Sequence, residues 1–193
     1  MTYITNGGLY LKKQEMTRLW IDNRFVAVTL AAEVEQRVKQ HKTNAVDWYS
    51  AIVVDVKTWA RSSMRSEFRV KEDVLATYPV GSQIPLTVLE GLSSVRVSGT
   101  SKGKWFQWVM KRHNFRGWPK THGSKFHRAW GSTGNRKPRR THKGHPMAWQ
   151  MWGDTITLRS LPIVSLLTID GTKFVAFKGS VPGSYSSFIK VSL

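Results

Sequence analysis

Residues 91–153 contain neither Asp nor Glu, yet they hold 14 of the chain's 30 Lys and Arg. The same window carries five of the six His, six of the nine Trp and nine Gly. Its formal charge is +14 over 63 residues, leaving +4 for the other 130, from 16 basic against 12 acidic side chains. Such a stretch cannot bury a core of its own, because its apolar side chains are scattered among unneutralised cations. It becomes stable inside a polyanion, where phosphates release counter-ions and the flat faces of Trp and Arg stack on bases. A disordered basic tail is the plainer alternative. The window's interior position and its large aromatics argue against that.

At 193 residues the chain suits one domain, or one domain with a long appendage. A net charge of +18 makes nucleic acid the expected partner, ahead of an anionic membrane. No apolar run approaches the roughly 20 residues that span a bilayer. The opening MTYITNGGLYLKKQEM lacks the apolar stretch of a secretory signal, and it is too poor in Arg for an obvious transit peptide. With no Cys there is no disulfide, thiolate metal site or cysteine nucleophile.

On either side of the window the sequence reads as strands and turns. Phe25–Leu30 and Ala51–Val56 are β-branched runs of strand length, and Glu33–Lys42 between them suits a loop or a strand edge. Residues 57–74 carry mixed charge without a firm period, with a short helix expected around Lys71–Val74. Tyr78–Ser82 is turn chemistry leading into Ile84–Leu89. After the window, Thr155–Leu158 and Ile163–Leu167 read as successive strands, Asp170-Gly171 as a hairpin turn, Lys173–Phe177 as the returning strand and Val181-Pro182-Gly183 as its end. Short strands at close spacing predict a barrel or sandwich. Trp20, Trp48 and Trp59 are expected in its core. The basic window is then an insertion between two halves of one β domain, far longer than ordinary connections.

The order of residues within the window is distinctive. It runs Ser98-Gly99-Thr100-Ser101-Lys102-Gly103-Lys104, Val109-Met110-Lys111-Arg112-His113-Asn114-Phe115, Thr121-His122-Gly123-Ser124, His127-Arg128, Gly131-Ser132-Thr133-Gly134, Lys143-Gly144 and Met147-Ala148. These motifs resemble the ribosomal protein L-three family of the large subunit, in its bacterial and organellar form. Gly8-Leu9, Lys12-Lys13 and Met16-Thr17 are similar to the family's opening, and Lys178-Gly179-Ser180-Val181-Pro182-Gly183 to its close. The resemblance covers nearly the whole chain in collinear order. It implies a mainly β fold: a discontinuous β-barrel body over 1–97 and 154–193, with a long, basic, irregular extension over 98–153 that penetrates ribosomal RNA toward the peptidyl-transferase centre. It also implies that the protein binds large-subunit rRNA early in assembly, among neighbouring large-subunit proteins.

Several departures stand out. Leu11 and Glu15 take the place of family glycines in the opening, and Trp105, Trp108, Trp149 and Trp152 fall where the family has Gly or another small residue. Glycine there lets backbone approach RNA closely, so that contact does not carry over unchanged. The segment Gly134–Arg140 lacks the Gln that some family members methylate, so no such modification is expected.

Three other chemistries fit these residues less well. A zinc site would need His142, His145 and further His to converge without any Cys or carboxylate. A nuclease using His122 or His127 as base lacks the acidic cluster that holds catalytic metal. Gly131-Ser132-Thr133-Gly134 resembles a phosphate cradle but is not followed by the Lys-Ser/Thr of a P-loop. The reading is therefore a non-enzymatic structural constituent of the large ribosomal subunit, with no cofactor, metal, membrane span or homo-oligomer. The residues expected on RNA are Lys102, Lys104, Trp105, Trp108, Lys111, Arg112, Asn114, Arg116, His122, Lys125, His127, Arg128, Arg136, Lys137, Arg139, Arg140 and Lys143. A nonribosomal RNA chaperone and an RNA-processing enzyme are the alternatives. An organellar (mitochondrial) matrix is the expected compartment, with the bacterial cytoplasm as alternative.

Overall fold

In a computed structural model, residues 6–59 and 62–193 are described, so the first five residues of the leader reading lie outside them. The chain divides into two compact units, one of residues 1–101 with 155–193 and one of 102–154. The first unit is mainly β. Its strands are β1 (Gly8–Ile21), β2 (Arg24–Glu33), β3 (Gln36–Lys42), β4 (Ala51–Trp59), β5 (Ser62–Arg69) and β6 (Ser94–Thr100) before the insertion. The second unit contains β7 (Phe106–Gln107) and β8 (Trp149–Gln150). Then β9 (Thr155–Ile169), β10 (Thr172–Lys178) and β11 (Phe188–Ser192) complete the first.

Six strands close a barrel in the order β1-β11-β6-β9-β10-β2, and β3-β4-β5 form a separate three-stranded sheet. Alternation decides which side chains point inward. Ile189 and Val191 of β11, Val95 and Val97 of β6, and Val175 and Phe177 of β10 are buried. Ile52, Val54 and Val56 of β4, with Phe68 of β5, join the same hydrophobic cluster, so sheet and barrel share one core. Leu11, at a position where the family opening has glycine, is fully buried in it.

Several expectations need correction. Thr155–Leu158 and Ile163–Leu167 are one strand, β9, and not two. It carries an extra residue against β6 between Leu158 and Leu161, and another against β10 between Ile163 and Ser165. Pro162 is tolerated because the ladder is already interrupted beside it. Residues 62–69, read as charged and aperiodic, form β5, with the expected helix following as the single turn Glu72–Leu75. Leu86–Leu89 is a 3-10 turn started after Pro85, and Glu33 Oε1 accepts a 2.8 Å bond from the Leu86 N–H. β3 is a sheet edge, and β1, β6 and β11 complete the barrel from segments not read individually as strands. Asp170-Gly171 does form the hairpin turn, both residues at positive φ (50° and 75°).

The three tryptophans assigned to the core are outside it: Trp20, Trp48 and Trp59 are 60%, 90% and 75% exposed. Trp20 lies near the end of the β1–β2 ribbon, Trp48 terminates a helical turn at φ 64°, and Trp59 ends β4. Large aromatic rings normally go inside, but these positions lie at the ends of elements, beyond the packed layer.

Candidate nucleic-acid interface

The second unit begins and ends on a chain pair that the barrel itself brings together, because Thr100 of β6 is the antiparallel partner of Thr155 of β9. From there β7 pairs with β8, extended by Lys104 N–H to Met151 C=O (2.7 Å) and Met151 N–H to Trp105 C=O (3.0 Å). Next comes the single helical turn Val109–Arg112, whose Val109 is the one buried residue of this unit. The unit therefore has no core of its own, as expected from the dispersal of apolar residues among cations.

Backbone ties hold it instead. The Arg112 guanidinium donates to Met147 C=O, and His113 Nε2 lies 3.1 Å from the same oxygen. His127 Nδ1 hydrogen-bonds Pro119 C=O at 2.8 Å, and Trp118 N–H donates to His127 C=O at 3.1 Å. Gly117 permits that approach, since a Cβ there would sit 2.8 Å from the His127 carbonyl oxygen. Trp118 and Phe126 meet edge to face at 5.7 Å.

The structure leaves Lys102, Lys104, Trp105, Trp108, Lys111, Asn114, Arg116, His122, Lys125, Arg128, Arg136, Lys137, Arg139, Arg140 and Lys143 exposed. Arg112 and His127 are half-buried, because both serve the internal ties just described. Trp108 and Arg128 come together on a recess of about 570 Å³, with Phe126, Ala129 and Trp130 completing its wall. Phe126 and Trp130 were not among the individually expected residues, although the aromatic interleaving of the window was a general signal for them. Among the described residues, no three His, Asp or Glu side chains converge as metal ligands, and no helix is long and apolar enough to cross a membrane.

What this surface can do chemically is limited and clear. It offers cations with no carboxylate between Glu90 and Asp154 to neutralise them, interleaved with open aromatic faces. Phosphates and bases satisfy both at once.

No protein-family model matches the chain. Individual relatives do. The large ribosomal subunit protein uL3 of Borreliella burgdorferi (strain ZS7) is 36% identical, over 95% of this chain and 97% of its own length. Those of Borrelia hermsii and Borrelia duttonii are 36% and 35% identical, each over 95% of both chains. The chain belongs to the uL3 family. In this uL3 chain the opening and closing motifs meet in the barrel, where Lys13 Nζ donates to the carbonyls of Val181 (2.6 Å) and Gly183 (2.9 Å). These relatives are bacterial and lend no support to the organellar preference drawn from the sequence.

Proposed function

We propose that this uL3 chain is a structural constituent of the large ribosomal subunit that binds large-subunit rRNA mainly through residues 102–154. On this reading the insertion enters packed rRNA toward the peptidyl-transferase centre and supports assembly. It acts by neutralising phosphates and stacking on unpaired bases, and it catalyses nothing. The observation that carries the proposal is a 102–154 unit with a single buried residue, many exposed cations and no acid before Asp154. Chains of that kind are ordered by a polyanion rather than by a core. The partners are the rRNA and the proteins that border it, in a bacterial ribosome by analogy with the relatives.

The test is a salt titration of binding to the large-subunit rRNA transcript. Engaging about six phosphates costs roughly a thousandfold in affinity between 50 and 200 mM salt. The intact chain should show that slope, and a version with residues 102–154 replaced by a short Gly-Ser linker should lose most of it. Equal slopes would refute the assignment of RNA binding to the insertion. Turnover of RNA abolished by His122→Ala or His127→Ala would favour the processing-enzyme reading, and equal affinity for unrelated RNAs the chaperone reading.

A further inference from the structure

Beyond its bulge between Lys13 and Met16, β1 runs on with β2 past the end of β10 and from Arg18 and Ala27 forms a two-stranded ribbon, closed by Asp22 and Asn23 at φ 50° and 58°. Pairing along it is Arg18 with Ala27, Leu19 with Val26 and Trp20 with Phe25. One face is packed: Leu19 and Val26 lie against the cluster around Val28, Leu30 and Ala176. A ribbon packed on one side ordinarily presents polar residues on the other. This one does not. Its outer face carries Met16, Trp20 and Phe25 at 50%, 60% and 62% exposure, with Arg18 the charged group among them. Trp20 and Phe25 meet edge to face at 4.6 Å, and the Arg18 guanidinium lies over the Phe25 ring, 4.8 Å from its centroid.

We infer that this outer face is a second RNA contact, on the first unit, that takes an unpaired base and its phosphate. The inference rests on the ribosomal reading above. An apolar face on both sides of a ribbon calls for a cover, and the charge decides which cover fits. Among the described residues Arg18 forms no ion pair, with neither Glu15 nor Asp22, so an apolar protein cover would desolvate an unpaired guanidinium, which is unfavourable. A nucleotide supplies both needs: the phosphate pairs with the guanidinium, and the base stacks on a guanidinium plane or ring already held in place.

The test uses the full chain in three forms: parent, Arg18→Gln, and Trp20→Leu with Phe25→Leu. Affinity is measured for the large-subunit rRNA transcript, alongside ultraviolet cross-linking in assembled subunits with peptide mass mapping. Stacking on one base corresponds to a loss of about tenfold in affinity for the double variant. Arg18→Gln, an exposed change that leaves the fold intact, should lose less and flatten the salt slope. A nucleotide adduct should map to the peptide between Lys13 and Arg24. Parent-like binding by both variants, or a cross-link from this peptide to a protein and not a nucleotide, overturns the inference and leaves the function of residues 102–154 standing. Failure of the parent itself to bind the transcript overturns both.

Discussion

Trp105 sits at φ 56°, in the left-handed region that favours glycine, and 73% of it is exposed. For a bulky L-residue that conformation costs about 1–2 kcal/mol. It coincides with one of the positions where the resembled family pattern has Gly or another small residue, so the backbone holds a shape that suits glycine under an indole. Trp108 differs: its φ is −68°, so a glycine there relieves nothing and removes a wall of the recess shared with Arg128. The two substitutions should therefore diverge. Trp105→Gly is expected to bind the rRNA transcript as tightly as the parent or up to about tenfold more tightly. Trp108→Gly should weaken binding about tenfold through lost stacking. The reverse order in parallel titrations would mean that the indole of Trp105 contributes more than the strain costs. Peptide mass of residues 105–111 from the native ribosome checks the premise directly, since glycine mass at 105 would show the cell decoding that codon otherwise. At this scale the sequence exposed the cations of the window and hid the roles of Arg112 and His127. Their partners are the carbonyls of Met147 and Pro119, and a backbone acceptor leaves no mark in residue identity.

Among the elements, β1 shows how a side chain can stand in for a strand. Its pairing with β2 begins only at Leu11, so the Tyr10 peptide lacks a strand partner on that side. The fully buried Gln36 fills the gap, its Oε1 accepting from Tyr10 N–H (2.8 Å) and its Nε2 donating to Tyr10 C=O (3.2 Å). Gln36→Leu strands both groups away from water and should destabilise the protein by about 2–4 kcal/mol, read from denaturant midpoints at constant slope. A second tie joins β3 to β5: Lys42 Nζ lies 2.6 Å from Glu67 Oε1, and Tyr49 donates to the other Glu67 oxygen at 2.9 Å. The Lys42 hydrogen bond holds the Glu67 carboxyl below the usual carboxylate range, outweighing desolvation by burial, with a lesser contribution from the Tyr49 hydrogen bond. A depressed carboxylate stabilises the fold above its unfolded pKa and loses that contribution as pH falls through the folded value. Parent and Glu67→Gln should differ in thermal midpoint at pH 7, draw together below the ordinary carboxylate pKa and converge only once pH has fallen through the lowered folded value. A difference that persists there would assign the effect to packing. The sequence showed β2 and β4 through their β-branched runs and β10 through the Asp170-Gly171 turn that precedes it. It concealed β5, because Ser62–Arg69 buries only Phe68 and its polar residues leave no clear alternation. It also concealed the unity of β9, because Pro162 punctuates a strand whose bulges no local pattern announces.

For the whole molecule, the barrel order β1-β11-β6-β9-β10-β2 means that the first and last strands are neighbours and that the strands flanking the insertion are too. Nothing in that closure requires residues 102–154, and the shared core around Leu9, Phe68, Val97 and Phe177 lies wholly outside them. Because Thr100 and Thr155 are already cross-strand partners, a two-residue Asn-Gly turn between residues 100 and 155 converts β6 and β9 into an ordinary hairpin. Shortening the loop also lowers its closure entropy by a small amount, since that cost grows only with the logarithm of length. The resulting body should melt in one cooperative transition with β-type circular dichroism, at or slightly above the midpoint of the intact chain. It should retain the ribbon contact through Arg18, Trp20 and Phe25 while losing most of the salt-dependent affinity. The excised residues 102–154, with Val109 as their single buried side chain, should show no cooperative melting alone and become protected from proteolysis on adding the rRNA transcript. If the joined body is unfolded, the insertion supplies stability that its lack of a core does not explain. If the excised peptide melts cooperatively without RNA, the premise that a polyanion orders it is wrong.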